Sequence, residues 1–173
     1  MPTARTPAEI LEYHRRSVVA LRVLSRTFAA LGPDAAYFPR NQTAFTETLA
    51  DMRDELNDEV VLALVASAER VLRLDYRGRQ GGGDIAAVRL GYLDKRFGGR
   101  VPLEEILDVW KDLADAPNQA GNFKQMYTYR HGLAHGRFFN KSGLHHAAPD
   151  DADEVIRDLF AAIRLAAPDF PKG

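Results

Sequence analysis

The chain has 173 residues, 46% of them apolar and 27% charged, with a formal net charge of −1. Those values predict one globular domain spanning 1–173 and exclude a strongly basic global field for non-specific nucleic-acid binding. Cysteine is absent, which removes disulfides, thiolate-held metals and a thiol nucleophile. In chain order, Thr6-Pro7-Ala8-Glu9 predicts a helix start, with Thr6 as cap, Pro7 in the first turn and Glu9 reaching back. Ile10, Leu11, Val18, Leu21, Leu24, Phe28 and Leu31 continue it as an apolar stripe, and Gly32-Pro33 stops it. A second helical region is expected from about Thr46 to Tyr76, with a possible break near Asp54 or Asn57. Its predicted inner face is Leu49, Met52, Leu56, Val60, Ala63, Leu64, Ser67, Val71 and Leu74.

Arg77 to Gly83 reads as a flexible connector, because no strand precedes its glycines and no Lys-Ser/Thr pair follows them. Asp84 caps a third helix ending at Gly98-Gly99. Pro102 opens a fourth, with Leu103, Ile106, Leu107, Trp110 and Leu113 as its core face, and Ala116-Pro117 closes it. Asn118 caps a fifth, and a sixth runs from about Asp151 to Ala167 with acids in its first turn. The tail Ala167 to Gly173 is expected to fray. No period-2 strand stands out, so the expected fold is an all-α bundle of about five to six helices. No signal-like segment or long apolar run is evident, which leads to the expectation of a cytoplasmic protein without a membrane anchor.

The chemistry concentrates in Tyr127-Thr-Tyr-Arg130-His131-Gly-Leu-Ala-His135-Gly-Arg137-Phe-Phe139. Arg130 and His135 are five residues apart, about 140° around an ideal helix, so they do not stack on one face. With Gly136 placed to end the helix, His135 falls in the last turn, where the negative helix end favours its protonated form. A histidine poised near neutrality suits general acid–base work, and an arginine offers a fixed bidentate grip on phosphate. Together they suggest metal-independent RNA cleavage through attack by the neighbouring 2′-hydroxyl. His131 and His135 at i, i+4 also match a two-histidine metal clamp, with His145 and His146 downstream, but Gly132 stands where a zincin has glutamate. The plainest alternative is a solvated helix end.

Arg70, Arg73 and Arg77 fall on one helical face and, with Arg79, form either a strip that tracks phosphates or a solvated face paired with Glu69 and Asp75. Lys95, Arg96 and Arg100 form a weaker basic cluster, and His14 lies on the stripe of the first helix as a core-edge histidine.

The run Arg130-His131-Gly-Leu-Ala-His135 resembles the signature of the HEPN superfamily: an arginine, a polar neighbour, then a histidine after four to six residues, late in a helix of an all-α bundle. The segment Ala66 to Arg79 resembles the second helical region of that family, so the likeness spans about Arg53 to Phe139. The resemblance implies a HEPN-like helical bundle and, for many members, an endoribonuclease acting as a toxin or a phage-defence effector. It further implies that Arg130 contacts phosphate, that His135 is the general base or acid, and that His131 positions the pair or the substrate. Arg137 with Arg70, Arg73 and Arg77 is then expected to bind RNA, with no cofactor and no metal. A homodimer with a composite cleft is implied, along with a possible antitoxin partner. In one subgroup, paired with a minimal nucleotidyltransferase antitoxin, a tyrosine precedes the histidine; here that position is Ala134. A non-catalytic HEPN module binding RNA, nucleotide or protein is the alternative.

Overall fold

A computed structural model describes residues 5–27, 41–134 and 147–171. They form six helices and no strand among the described residues. The first, α1, covers Pro7–Thr27. Its start is the expected capping box: Thr6 Oγ1 accepts from the Glu9 amide at 3.3 Å, and the Glu9 carboxylate accepts from the Thr6 amide at 2.7 Å. The bond from the Thr6 amide, and a second from the Thr6 hydroxyl to the same carboxylate at 3.0 Å, hold the Glu9 carboxyl below its usual range.

Helix α2 is Gln42–Gly78, 37 residues without the expected break. Asn41 caps it, accepting from the Ala44 amide at 2.7 Å. Asn57 does not interrupt the helix, because its side chain bonds His14 of α1 at 2.9 Å. That pair also fixes the register of α1 against α2, and places His14 as the core-edge or interface histidine expected of its stripe. The expected inner face of α2 holds at Leu49, Val60 and Leu64, then slips by about one residue. Val61, Val65, Ala68 and Leu72 are fully enclosed, whereas Met52 and Leu74 are 39% and 50% exposed. The physical reason is a change of neighbour along the helix. Towards its start α2 pairs with α1, and from about Asp58, which Tyr129 of α5 meets, it joins the core of the bundle.

Helix α3, Ile85–Phe97, starts on Asp84, whose carboxylate accepts from the Ala87 amide at 2.6 Å, and ends on Gly98 with φ 60°. Helix α4 is Leu103–Leu113. Pro117 does not end it but opens α5, Pro117–Ala134, after a turn in which Asp115 takes φ 47°. Helix α6 is Pro149–Ala166, beginning two residues earlier than expected because Pro149 occupies the first position. The core gathers Leu64 and Leu72 from α2, Leu90 from α3, Ile106 and Trp110 from α4, Phe123 from α5, and Leu159 and Ile163 from α6. Trp110 is 1% exposed, so the expectation of a core tryptophan holds. No described helix is long and apolar enough to cross a membrane.

Two expectations fail together near the chain end. Phe170 is buried, edge-on to Trp110 at 5.9 Å and to Phe160 at 5.2 Å, so the tail through Phe170 is packed and not frayed. The Arg77–Gly83 segment is likewise not a plain flexible connector. Helix α2 runs to Gly78, and Arg79 is buried at its end over the Trp110 ring. Arg79 bonds Asp75 at 2.8 Å, Asp84 at 3.2 Å and Asp169 at 2.8 Å. One guanidinium thereby ties the end of α2, the start of α3 and the C-terminal segment to the core.

Candidate functional site

Helix α5 positions the described part of the Arg–His motif. It packs between α2, α4 and α6, which explains why it shows little one-sided apolar pattern. Phe123, Tyr127, Arg130 and His131 fall on one face by helical spacing, and Tyr129 points to another. Phe123 is fully buried, Tyr127 and Arg130 are half-buried, and His131 is exposed. The face therefore climbs from the core at Phe123 to solvent at His131.

Arg130 meets Glu69 of α2, Nη1 to Oε2, at 3.6 Å. Glu69 is held more tightly by Arg73, whose Nε bonds Oε1 at 2.8 Å while its Nη1 donates to the Val101 carbonyl at 3.1 Å. The two contacts differ in kind. Arg73 makes a good charge-assisted hydrogen bond, and Arg130 is drawn by charge from beyond hydrogen-bond reach. A half-buried carboxylate fixed by one arginine thus steers a second, whose donors are not committed to it. Tyr127 stacks at a tilt of 39° against His131, with ring centroids 6.5 Å apart. Burial pushes the Tyr127 phenol up, and the Glu69 and Glu104 carboxylates add to this while Arg73 and Arg130 oppose it. Tyr127 is thus a neutral hydroxyl beside the motif. On the opposite face, Tyr129 donates to Asp58 of α2 at 2.6 Å. Burial first, then that hydrogen bond and the Asp58 charge, hold its phenol well above the usual range. Tyr129 ties α5 to α2 one residue before Arg130, which limits how far the arginine's backbone can shift.

The predicted strip on α2 divides. Arg70 and Arg77 are exposed, Arg73 is committed to Glu69 and the Val101 carbonyl, and Arg79 has left the surface for its three carboxylates. Arg70 borders a groove of about 570 Å³ between α1 and α2, with Arg5, Tyr13 and Glu59 on its rim. Lys95 and Arg96 are exposed on α3, and Arg96 lies 3.8 Å from Glu105. His135, Arg137, His145 and His146 lie outside the described residues, as do Phe138 and Phe139. No group of three or more metal-binding side chains occurs among the described residues.

Sequence reasoning had Glu69 only as a neutralising partner of the arginine strip. Its spacing of four from Arg73 was the available signal, and its link to Arg130 across 61 positions was not. The helical bundle thus presents a cationic, histidine-bearing helix end backed by a fixed carboxylate and a neutral tyrosine. Comparison with models of known protein families, with curated proteins and with solved structures gave no match.

Proposed function

We propose that this protein is a HEPN-type, metal-independent endoribonuclease. The observation that carries the reading is Arg130, half-buried on α5 and steered by Glu69 without being hydrogen-bonded to it, inside the motif Arg130 to His135. A phosphate oxygen arriving beside Arg130 offers the bidentate hydrogen bonds that Glu69 does not, in a partly desolvated setting where charge pairs strengthen. In the proposed reaction the ribose 2′-oxygen attacks the adjacent phosphorus and the bond to the 5′-oxygen breaks. A base takes the 2′-hydroxyl proton and an acid supplies one to the leaving oxygen. His135 fills one of these roles and Arg130 stabilises the charge on phosphorus. His131 and Tyr127 flank the scissile phosphate, and Arg70, Arg77 and Arg137 contact the RNA on either side. The products are a 2′,3′-cyclic phosphate and a 5′-hydroxyl.

The same reading makes the protein a cytoplasmic toxin or phage-defence effector. It acts as a homodimer whose two motifs share one cleft, and an antitoxin restrains it. The test is end chemistry: RNA incubated with purified protein in chelator should yield cyclic-phosphate ends. Absence of those ends across structured and unstructured RNAs defeats it.

One observation favours a second reading. The Arg130–Glu69 contact also ties α5 to α2, which would suit a non-catalytic HEPN module that binds RNA, nucleotide or a protein partner. Retained RNA binding without any cleavage distinguishes it.

A further inference from the structure

Helix α1 is 21 residues long, yet only Ile10 and Leu11 are buried on it. Its stripe beyond those two lies against the first half of α2, and among the described residues no other helix packs substantially on α1. One side of this hairpin is an open groove of about 500 Å³, lined by Tyr13, Ser17, Leu24, Met52, Leu56 and Glu59. It runs on into the groove beside Arg70, since Tyr13 and Glu59 line both. Tyr13, Met52 and Val23 are 47%, 39% and 53% exposed. Helical spacing sets Tyr13, Arg16, Ala20 and Val23 along the α1 rim, and Met52, Glu55, Glu59 and Leu62 along the α2 rim. Two helices alone cannot bury both sides of such a pair.

We propose that this groove seats a second copy of the same chain, forming a four-helix bundle about a two-fold axis parallel to the hairpin. Charge is the first argument. Helix α1 carries Arg15, Arg16, Arg22 and Arg26 against two glutamates, while residues 42–59 carry six acids against Arg53. A two-fold axis along the hairpin lays α1 of each protomer over α2 of the other, so opposite charges meet.

Register is the second argument. Rotation about that axis leaves each residue at its own level along the hairpin. The His14–Asn57 hydrogen bond at 2.9 Å sets those residues level, and so places Arg16 near the level of Glu55 and within a turn of Glu59. Arg16 is 77% exposed and, among the described residues, pairs with Glu12 on its own helix, itself 51% exposed, so turning to the partner costs little. Size is the third. A helix of 21 residues spans about 32 Å and two helices about 20 Å, a face of about 600 Å² in projection. That is comparable to the roughly 800 Å² of accessible surface per partner in a stable interface.

This inference shares the homodimer with the proposed function, so a monomeric wild type counts against both, whereas loss of RNA cleavage alone leaves the groove contact standing and a dimer indifferent to groove substitutions leaves the nuclease reading standing. Wild type, Arg16→Glu, Ala20→Arg and the charge swap Arg16→Glu/Glu55→Arg/Glu59→Arg are compared by sedimentation equilibrium, with circular dichroism confirming helix content. All four positions are exposed, so the substitutions leave the core contacts untouched. Wild type should dimerise, Arg16→Glu and Ala20→Arg should each weaken dimerisation at least about tenfold, and the swap should recover most of the loss to Arg16→Glu. A wild type that stays monomeric at about 100 µM overturns the proposal and leaves the groove to another protein. A dimer indifferent to Arg16→Glu and Ala20→Arg overturns it by placing the contact elsewhere. A swap that recovers nothing overturns the proposed axis.

Discussion

Replacing Arg79 with methionine should destabilise the fold more than any other single charge removal. Its side chain is 7% exposed and its partner Asp75 is 3% exposed, so their contact at 2.8 Å is a buried ion pair. Removing one member of such a pair strands the other and costs about 3–5 kcal/mol. The contacts to Asp84 and Asp169 add little, because those carboxylates are 57% and 70% exposed and screened by solvent. Loss of the guanidinium over Trp110 adds about 1 kcal/mol. The expected total is about 4–6 kcal/mol, read as a shift in the urea midpoint at unchanged slope. The pH dependence has a definite sign. Burial raises the Asp75 carboxyl even with Arg79 in place, and removing Arg79 raises it further. A carboxyl whose folded pKa exceeds its unfolded value binds more protons in the native state. Stability is then lost as pH rises from the unfolded value of about 4 up to the folded one. Arg79→Met should therefore be closest to wild type below pH about 4 and fall furthest from it near neutrality. A loss under about 1 kcal/mol at pH 7, or a gap that widens as pH falls, would refute the buried-pair account.

Tyr129→Phe removes the 2.6 Å bond to Asp58 and should cost about 1–2 kcal/mol in urea unfolding at pH 7. Its raised phenol also stabilises the native state only while protonated. Wild type should thus lose stability above pH about 10, and the variant should lose less over that range. Phe170→Ala empties a buried site against Trp110 and Phe160 and should cost about 3 kcal/mol, with a change in tryptophan fluorescence of the native state. Glu69→Gln keeps the shape but removes the charge facing Arg73 and Arg130. It should cost about 1 kcal/mol in stability and lower RNA cleavage more than RNA binding, measured by filter binding of uncleavable 2′-deoxy substrate.

The helix ends were legible because their signals are local. Thr6 with Glu9, Asp84 and Gly98 each act within four residues, and all three do what the sequence implied. The errors arose where a distant neighbour decides. A break in α2 was allowed for near Asp54 or Asn57, and His14, 43 positions before Asn57, gives that asparagine a partner within a continuous helix. Arg79 sits beside a run of glycines and reads as solvated. Its burial depends on Trp110 and on Asp169, 90 positions away. Phe170 lies between prolines that suggest fraying, and nothing local reports the aromatic pocket that receives it. At the candidate site the sequence pointed to Arg130, His131 and His135; the fold carries the first two on the outward end of α5, and His135 lies outside the described residues. The misfit of about 140° between positions 130 and 135 stands as a demand on the helix end or on a second chain. Glu69 acquired its role only through the packing of α2 on α5.

The central claim is that Arg130 and His135 cut RNA without metal. The most direct measurement is the cleavage rate of a pooled RNA substrate in excess chelator for wild type, Arg130→Ala and His135→Ala. The account predicts cyclic-phosphate ends from wild type and a loss of about 10²-fold or more in each variant, with folding unchanged by circular dichroism. Cleavage by wild type that either variant matches, or that requires a divalent cation, would contradict it.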